Sequence, residues 1–173
     1  KDNYQMMAVD SIKNNQVTMV RGRAGSGKSL ITLSTSLYLM EKEGSRLVIF
    51  CNPTPTKDAQ ELGFRKGTGL EKVMDSSTGA MLKSKLGGED AVHRLIDDGM
   101  LEILPFVDLR GWDSGEEKTI CWITEAQNLN SSLLKLGLQR ITESAKVVID
   151  GDEKAQVDRV IYDSDNGMKR ASE

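Results

Sequence analysis

The chain has 173 residues, 38% hydrophobic, 28% charged and 5% aromatic, a balance that fits one α/β domain and leaves no room for a second full one. No apolar run approaches the roughly 20 residues needed to cross a bilayer, and Lys1-Asp2-Asn3-Tyr4-Gln5 lacks a signal peptide's apolar core, so a cytoplasmic protein without membrane contact is expected. A net charge of -3 and a pI near 5.4 exclude a globally basic surface for nucleic acid and leave only a local patch open.

The start at Lys1, with no methionine and running straight into folded-looking sequence, reads as a piece of a longer chain. Val9 and Ile12 follow Gln5 at helical spacing, which predicts a short helix from Gln5 to Lys13 ending at Asn14-Asn15. Val17 to Val20 reads as a strand. Beyond a glycine-rich loop, Leu30, Leu33, Leu37 and Met40 recur at i, i+3, i+7 and i+10, predicting an amphipathic helix from Lys28 to about Glu43 that stops at Gly44. Leu47 to Cys51 is a continuous apolar run of the kind buried on both faces of a parallel sheet, and Asn52-Pro53 ends it.

From Thr54 to Asp98 the pattern is weaker and mostly helical, broken by Gly63, Gly67-Thr68-Gly69 and Gly87-Gly88, and reads as a peripheral insertion (54–98) within a single domain spanning 1–173. The only histidine, His93, falls in a helical stretch there and reads as a surface residue. Leu101 to Leu104, Thr119 to Ile123 and Lys146 to Ile149 are further strands. Between the last two, Leu134, Leu138 and Ile141 share a helical face behind Asn128 or Asn130 as N-cap. Cys51 and Cys121 both sit in strand-like apolar runs and read as buried thiols rather than a disulfide or metal framework. Repeated strand and helix alternation predicts a doubly wound, mainly parallel α/β sheet with ligands at the carboxyl ends of its strands.

Gly22-Arg23-Ala24-Gly25-Ser26-Gly27-Lys28-Ser29 satisfies G-x-x-x-x-G-K-[ST], the P-loop, between a strand and a helix as that loop requires. Glycines at 22, 25 and 27 let backbone N–H groups turn toward phosphate oxygens, and the helix starting at Lys28 adds the positive end of its dipole. Lys28 is expected to reach the β- and γ-phosphates and Ser29 to ligate Mg²⁺. Leu30, one position further, completes the expected nucleotide-binding set. The ligand implied is a nucleoside triphosphate, ATP with Mg²⁺.

A P-loop enzyme usually sets a second strand ending in an acidic residue beside the first. Thr119 to Ile123 leads into Thr124-Glu125-Ala126-Gln127-Asn128, so Glu125 is the candidate base for an attacking water, with Thr124 and Glu125 beside the metal. The place before the glutamate, often aspartate in such boxes, carries only a hydroxyl at Thr124.

Taken with Glu61-Leu62-Gly63-Phe64, Leu104-Pro105, Arg110-Gly111, Leu138-Gln139-Arg140, Gly151-Asp152, Gln156 and Asp158, these motifs make the chain resemble the PhoH-like family, P-loop ATPases whose core is similar to that of superfamily 1 helicases. The match runs in family order over nearly the whole chain and implies a P-loop NTPase fold with a RecA/helicase-like core. The family's usual box is D-E-A-Q-N; the departure at Thr124 bears on rate and metal affinity rather than on nucleotide binding.

The resemblance further implies that Gln5 bonds adenine, that Gln127 couples the acidic box to the γ-phosphate, and that Asp152 and Gln156 belong to a sensor near it. Arg110 and Arg140, with Arg159 as a third, match arginines that complete such sites. One domain cannot close the site on itself, so a homo-oligomer is expected to complete it, with single-stranded RNA or DNA as the partner that turnover acts on. Two other classes stay open: a nucleotide-gated binding module with little hydrolysis, which Thr124 favours, and a small-molecule kinase, whose arginine-rich lid is missing.

Overall fold

Asp2 opens the first helix by accepting a hydrogen bond from the Gln5 N–H at 2.8 Å, which satisfies one of the donors a helix start leaves without a partner. The computed structural model describes residues 2–51 and 74–152. Helix α1 covers Asn3–Asn14, β1 Val17–Arg21, α2 Lys28–Glu43 and β2 Arg46–Cys51. Beyond residue 74 come α3 (Ser77–Leu86), α4 (Glu89–Asp97), β3 (Leu101–Pro105) and a 3-10 turn at Phe106–Arg110. The chain continues through β4 (Thr119–Ile123), a second 3-10 turn at Ala126–Asn128, α5 (Ser131–Leu138) and β5 (Ala145–Gly151). The Glu61–Phe64 motif lies outside the described residues.

All pairs among the described strands are parallel, in the order β1-β5-β4-β2-β3. The chain moves outward from β1 through β2 to β3, then returns through β4 to β5. Crossovers between parallel strands are right-handed, so this reversal sends the later connections to the opposite face and makes the sheet doubly wound. Alternating side chains record it. Leu47, Ile49, Ile120, Trp122 and Val148 join Ile12, Leu33, Leu82 and Val92 in one core. Val48, Phe50, Cys121, Ile123 and Ile149 join Leu109, Leu133 and Leu134 in the other. A strand buried on both faces needs apolar residues at consecutive positions, hence the unbroken runs in β2 and β4.

Two sequence expectations shift, and a third narrows to one of its two candidates. Helix α2 buries Thr32, Leu33, Thr35, Ser36, Leu39 and Met40, while Leu30 stays 43% exposed, so the buried stripe is rotated from the leucine pattern and includes small hydroxyl residues. The N-cap of α5 is Asn130, whose side chain accepts from the Leu133 N–H at 2.8 Å, while Asn128 closes the preceding turn. The acidic-box strand β4 does not lie beside β1, because β5 is inserted between them. The described part of the stretch 54–98 is helical and carries the fully buried Leu82 and Val92 into the first core. His93 is half-exposed and lies 3.6 Å from Glu89 one turn earlier.

Burial pushes both cysteine thiols up to about 12, with the charge of Glu125 adding to the effect at Cys51. At pH 8 that leaves a thiolate fraction of roughly one in ten thousand. An aromatic disulfide reagent is therefore expected to leave both thiols unmodified in the native protein and to titrate them once urea unfolds it.

Candidate functional site

The loop between β1 and α2 is rooted on β5: the Gly22 N–H donates to the Gly151 carbonyl at 3.3 Å. A Cβ at Gly22 would stand 2.7 Å from Ser26 Oγ, and Gly27 has φ of +83°, so the tight winding of the loop depends on bare glycine backbone. Lys28 Nζ folds back over the loop and donates to the Arg23 carbonyl at 3.4 Å. Gly27 is also the N-cap of α2 and offers no side chain to its first N–H groups. Among the described helices α2 alone has neither a capping side chain nor an acidic residue in its first turn. Its start thus presents free N–H donors and the positive dipole end together, a ready seat for an anion. Gln5 reaches the same place from α1, its Nε2 3.5 Å from where a Gly27 Cβ would stand. A cavity of about 400 Å³ opens there between α1 and α2, lined by Gln5, Val9, Gly27, Leu30, Ile31 and Tyr38 among others.

The acidic box follows the carboxyl end of β4. Thr124 is buried and its N–H donates to the Phe50 carbonyl at 3.0 Å, while the side chain of Glu125 reaches the surface. Glu125 has φ of +53°, making it the non-glycine residue among those described that sits in left-handed backbone. Such a conformation costs on the order of 1 kcal/mol or more and persists only where the surroundings enforce it. Here the enforcing group is Asp150, whose Oδ1 accepts from the Glu125 N–H at 3.0 Å.

Asp150, on β5, is fully buried. Its Oδ2 accepts from the Trp122 indole N–H at 3.0 Å, and the hydroxyls of Thr124 and Ser29 also donate to the carboxylate. Burial pushes its carboxyl above the usual carboxylate range, while these donors pull it back. Two positions on, the acidic box meets the end of β5: the buried Gln127 accepts at Oε1 from the Asp152 N–H at 3.1 Å, and Asp152 is buried beside it.

The structure therefore gathers Ser29, Thr124, Glu125 and Asp150 at one edge, with Gln127 and Asp152 joined behind them. Arg110 and Arg140 carry exposed side chains, in the turn after β3 and just past α5, two elements packed together over the second core. Gln156 and Arg159 lie outside the described residues. Asp150 is the group that reading the sequence missed. Its only signal was an acid ending the apolar run Val147-Val148-Ile149, and its neighbours come from strands remote in sequence.

No group of three or more His, Cys, Asp or Glu among the described residues could hold a metal ion alone. That donor set nonetheless fits Mg²⁺, which keeps several waters and takes one or two carboxylates together with phosphate oxygens.

Residues 1–173 match the family described as PhoH-like protein. The chain is 30% identical over 154 residues to Protein PhoH2 of Thermobispora bispora, covering 86% of this chain and 34% of that protein. It is 28% identical over 156 residues to Protein PhoH of Escherichia coli K12, covering 88% and 43%. A crystal structure of Pif1 helicase from Candida albicans aligns at 14% identity with a TM-score of 0.49, covering 98% of this chain and 36% of that one. The chain thus spans less than half the length of these curated relatives.

Two substitutions at this edge should move stability in opposite directions in urea unfolding. Glu125→Gly relieves the left-handed backbone and is expected to stabilise by about 1 kcal/mol. Gly151→Ala sets a Cβ 2.8 Å from Gln127 Oε1 and 3.3 Å from the Ala126 nitrogen, and is expected to cost about 1–3 kcal/mol.

Proposed function

The chain belongs to the PhoH-like protein family, and from that membership we propose that it binds ATP with Mg²⁺ and hydrolyses it in the cytoplasm. The observation that carries the reading is the uncapped start of α2 behind its glycine loop, at the sheet edge where β4 and β5 end in Thr124, Glu125 and Asp150. The loop N–H groups seat the β-phosphate. Lys28 exchanges its long contact with the Arg23 carbonyl for the β- and γ-phosphates. Glu125, held at the surface by its constrained backbone, orients and deprotonates the attacking water. Bound Mg²⁺ would offset the charge of the phosphate oxygens, with Ser29 and the adjoining acidic groups as its protein side.

Gln127 and Asp152 link the water-activating box to the end of β5, so loss of the γ-phosphate can be felt along that strand. Gln5 stands at the mouth of the cavity beside the loop and suits adenine. The exposed Arg110 and Arg140 supply the finger to a neighbouring copy, and turnover is coupled to single-stranded RNA or DNA through a helicase-like core. A module that binds nucleotide without turning it over is the second reading, favoured by the missing carboxylate at Thr124.

Phosphate release from ATP tests this, measured with and without single-stranded RNA. Lys28→Ala should abolish turnover and weaken binding, whereas Glu125→Gln should lower turnover by roughly 10²-fold or more with binding kept. Tight MgATP binding without phosphate release supports the gated module, and ADP formed only when an acceptor is added supports a kinase.

A further inference from the structure

Thr124 removes a negative charge from the place where the family's box carries aspartate, yet the site does not lack a carboxylate. β5 lies between β1 and β4, and Asp150 pairs in register with Val20, two residues before the phosphate loop. On the other side Ile149 pairs with Ile123, so Asp150 stands next to Thr124. We propose that Asp150 takes the part of the absent aspartate: it is the buried carboxylate of the Mg²⁺ site, holding the Ser29 hydroxyl toward the cation, with Thr124 as its hydrogen-bonding neighbour. This rests on the nucleotide-binding reading above.

Hydroxyl valence supports it. Ser29 has one O–H donor and two lone pairs, and with its proton committed to Asp150 both lone pairs remain for a metal. The Thr124 hydroxyl also donates to Asp150, so threonine fits here as a donor where a second carboxylate would repel. The groups that bond Asp150, namely Trp122, Ser29, Thr124 and the Glu125 N–H, are all neutral. A fully buried carboxylate is costly unless paired with a cation, and a bound divalent ion supplies that pairing. Trp122, itself fully buried, fixes the other oxygen and so the rotamer. Asp150 is thus a positioning residue acting through Ser29. Asn keeps one of the two acceptor oxygens, so a purely structural role would show as lost stability and as affinity lost with and without Mg²⁺ alike.

The test is the affinity for a fluorescent ATP analogue in excess Mg²⁺ and in EDTA. Wild type should bind more tightly with Mg²⁺. Asp150→Asn should lower that preference roughly 10- to 100-fold, the range for losing a group that orients a metal ligand, with EDTA affinity unchanged within about threefold. Thr124→Asp combined with Asp150→Asn returns the carboxylate to the neighbouring strand end and should restore the preference. If Asp150→Asn does not fold, Trp112→Phe leaves Trp122 as the single tryptophan, and its emission should shift when Mg²⁺ is added to the ATP complex. Persistence of the Mg²⁺ preference in Asp150→Asn overturns the inference, as does a folded double variant without that preference or a Trp122 emission indifferent to Mg²⁺. A wild-type chain that binds no ATP overturns the nucleotide reading itself, which the other outcomes leave standing.

Discussion

Strand β5 hydrogen-bonds β1 on one side and β4 on the other, and the two halves of the candidate site meet only across it. The Gly151 carbonyl anchors the start of the phosphate loop, the Asp150 carboxylate holds the Glu125 backbone, and the Asp152 N–H engages Gln127. These three consecutive residues would be an unremarkable strand end if β4 lay directly beside β1. Insertion of β5 turns them into a junction, and Gly151 has no side chain because Gln127 and the Ala126 backbone occupy that space.

The energetics of this edge run against those of the cores. Behind it, two faces of close-packed apolar side chains bury nearly every residue of β2, β4 and β5. At the edge itself the molecule carries a fully buried acidic side chain, a glutamate in left-handed backbone and a helix start without a cap. Each of these is locally unfavourable, and each lies within reach of the others. Unfavourable local choices gathered in one place, on an otherwise consistent scaffold, mark the part of a fold shaped by something other than stability.

Much of the scaffold was legible before any coordinates. Five strands and the main helices follow from continuous apolar runs and from 3.6-residue spacing, because a sheet buried on both faces leaves few other sequences workable. The phosphate loop was legible for a different reason: its geometry needs glycine and lysine at set places within eight residues. Strand order was not legible, since it depends on which apolar faces meet across the sheet. The importance of Asp150 was lost with it. An acid after Val147-Val148-Ile149 looks like a strand terminus, and only the adjacency of β1, β5 and β4 places it between Ser29 and Thr124. The leucine stripe of α2 misled in a milder way, since Thr32, Thr35 and Ser36 are buried while Leu30 is exposed.

β1 pairs with β5 alone among the described strands, so the phosphate loop hangs from an edge strand. In a parallel ladder the N–H groups of an edge strand point alternately toward the partner and away from the sheet. Half of the backbone at the root of the loop is therefore held by no strand, and Val17 at its start is 55% exposed. Local opening of such a strand takes less free energy than opening of β4 at the sheet's centre. In hydrogen exchange the molecule would thus show a gradient of protection, rising from β1 to β4. A ligand that bridges the loop to the ends of β4 and β5 would fasten the least protected strand to the most protected one, slowing exchange farthest from the sheet's middle.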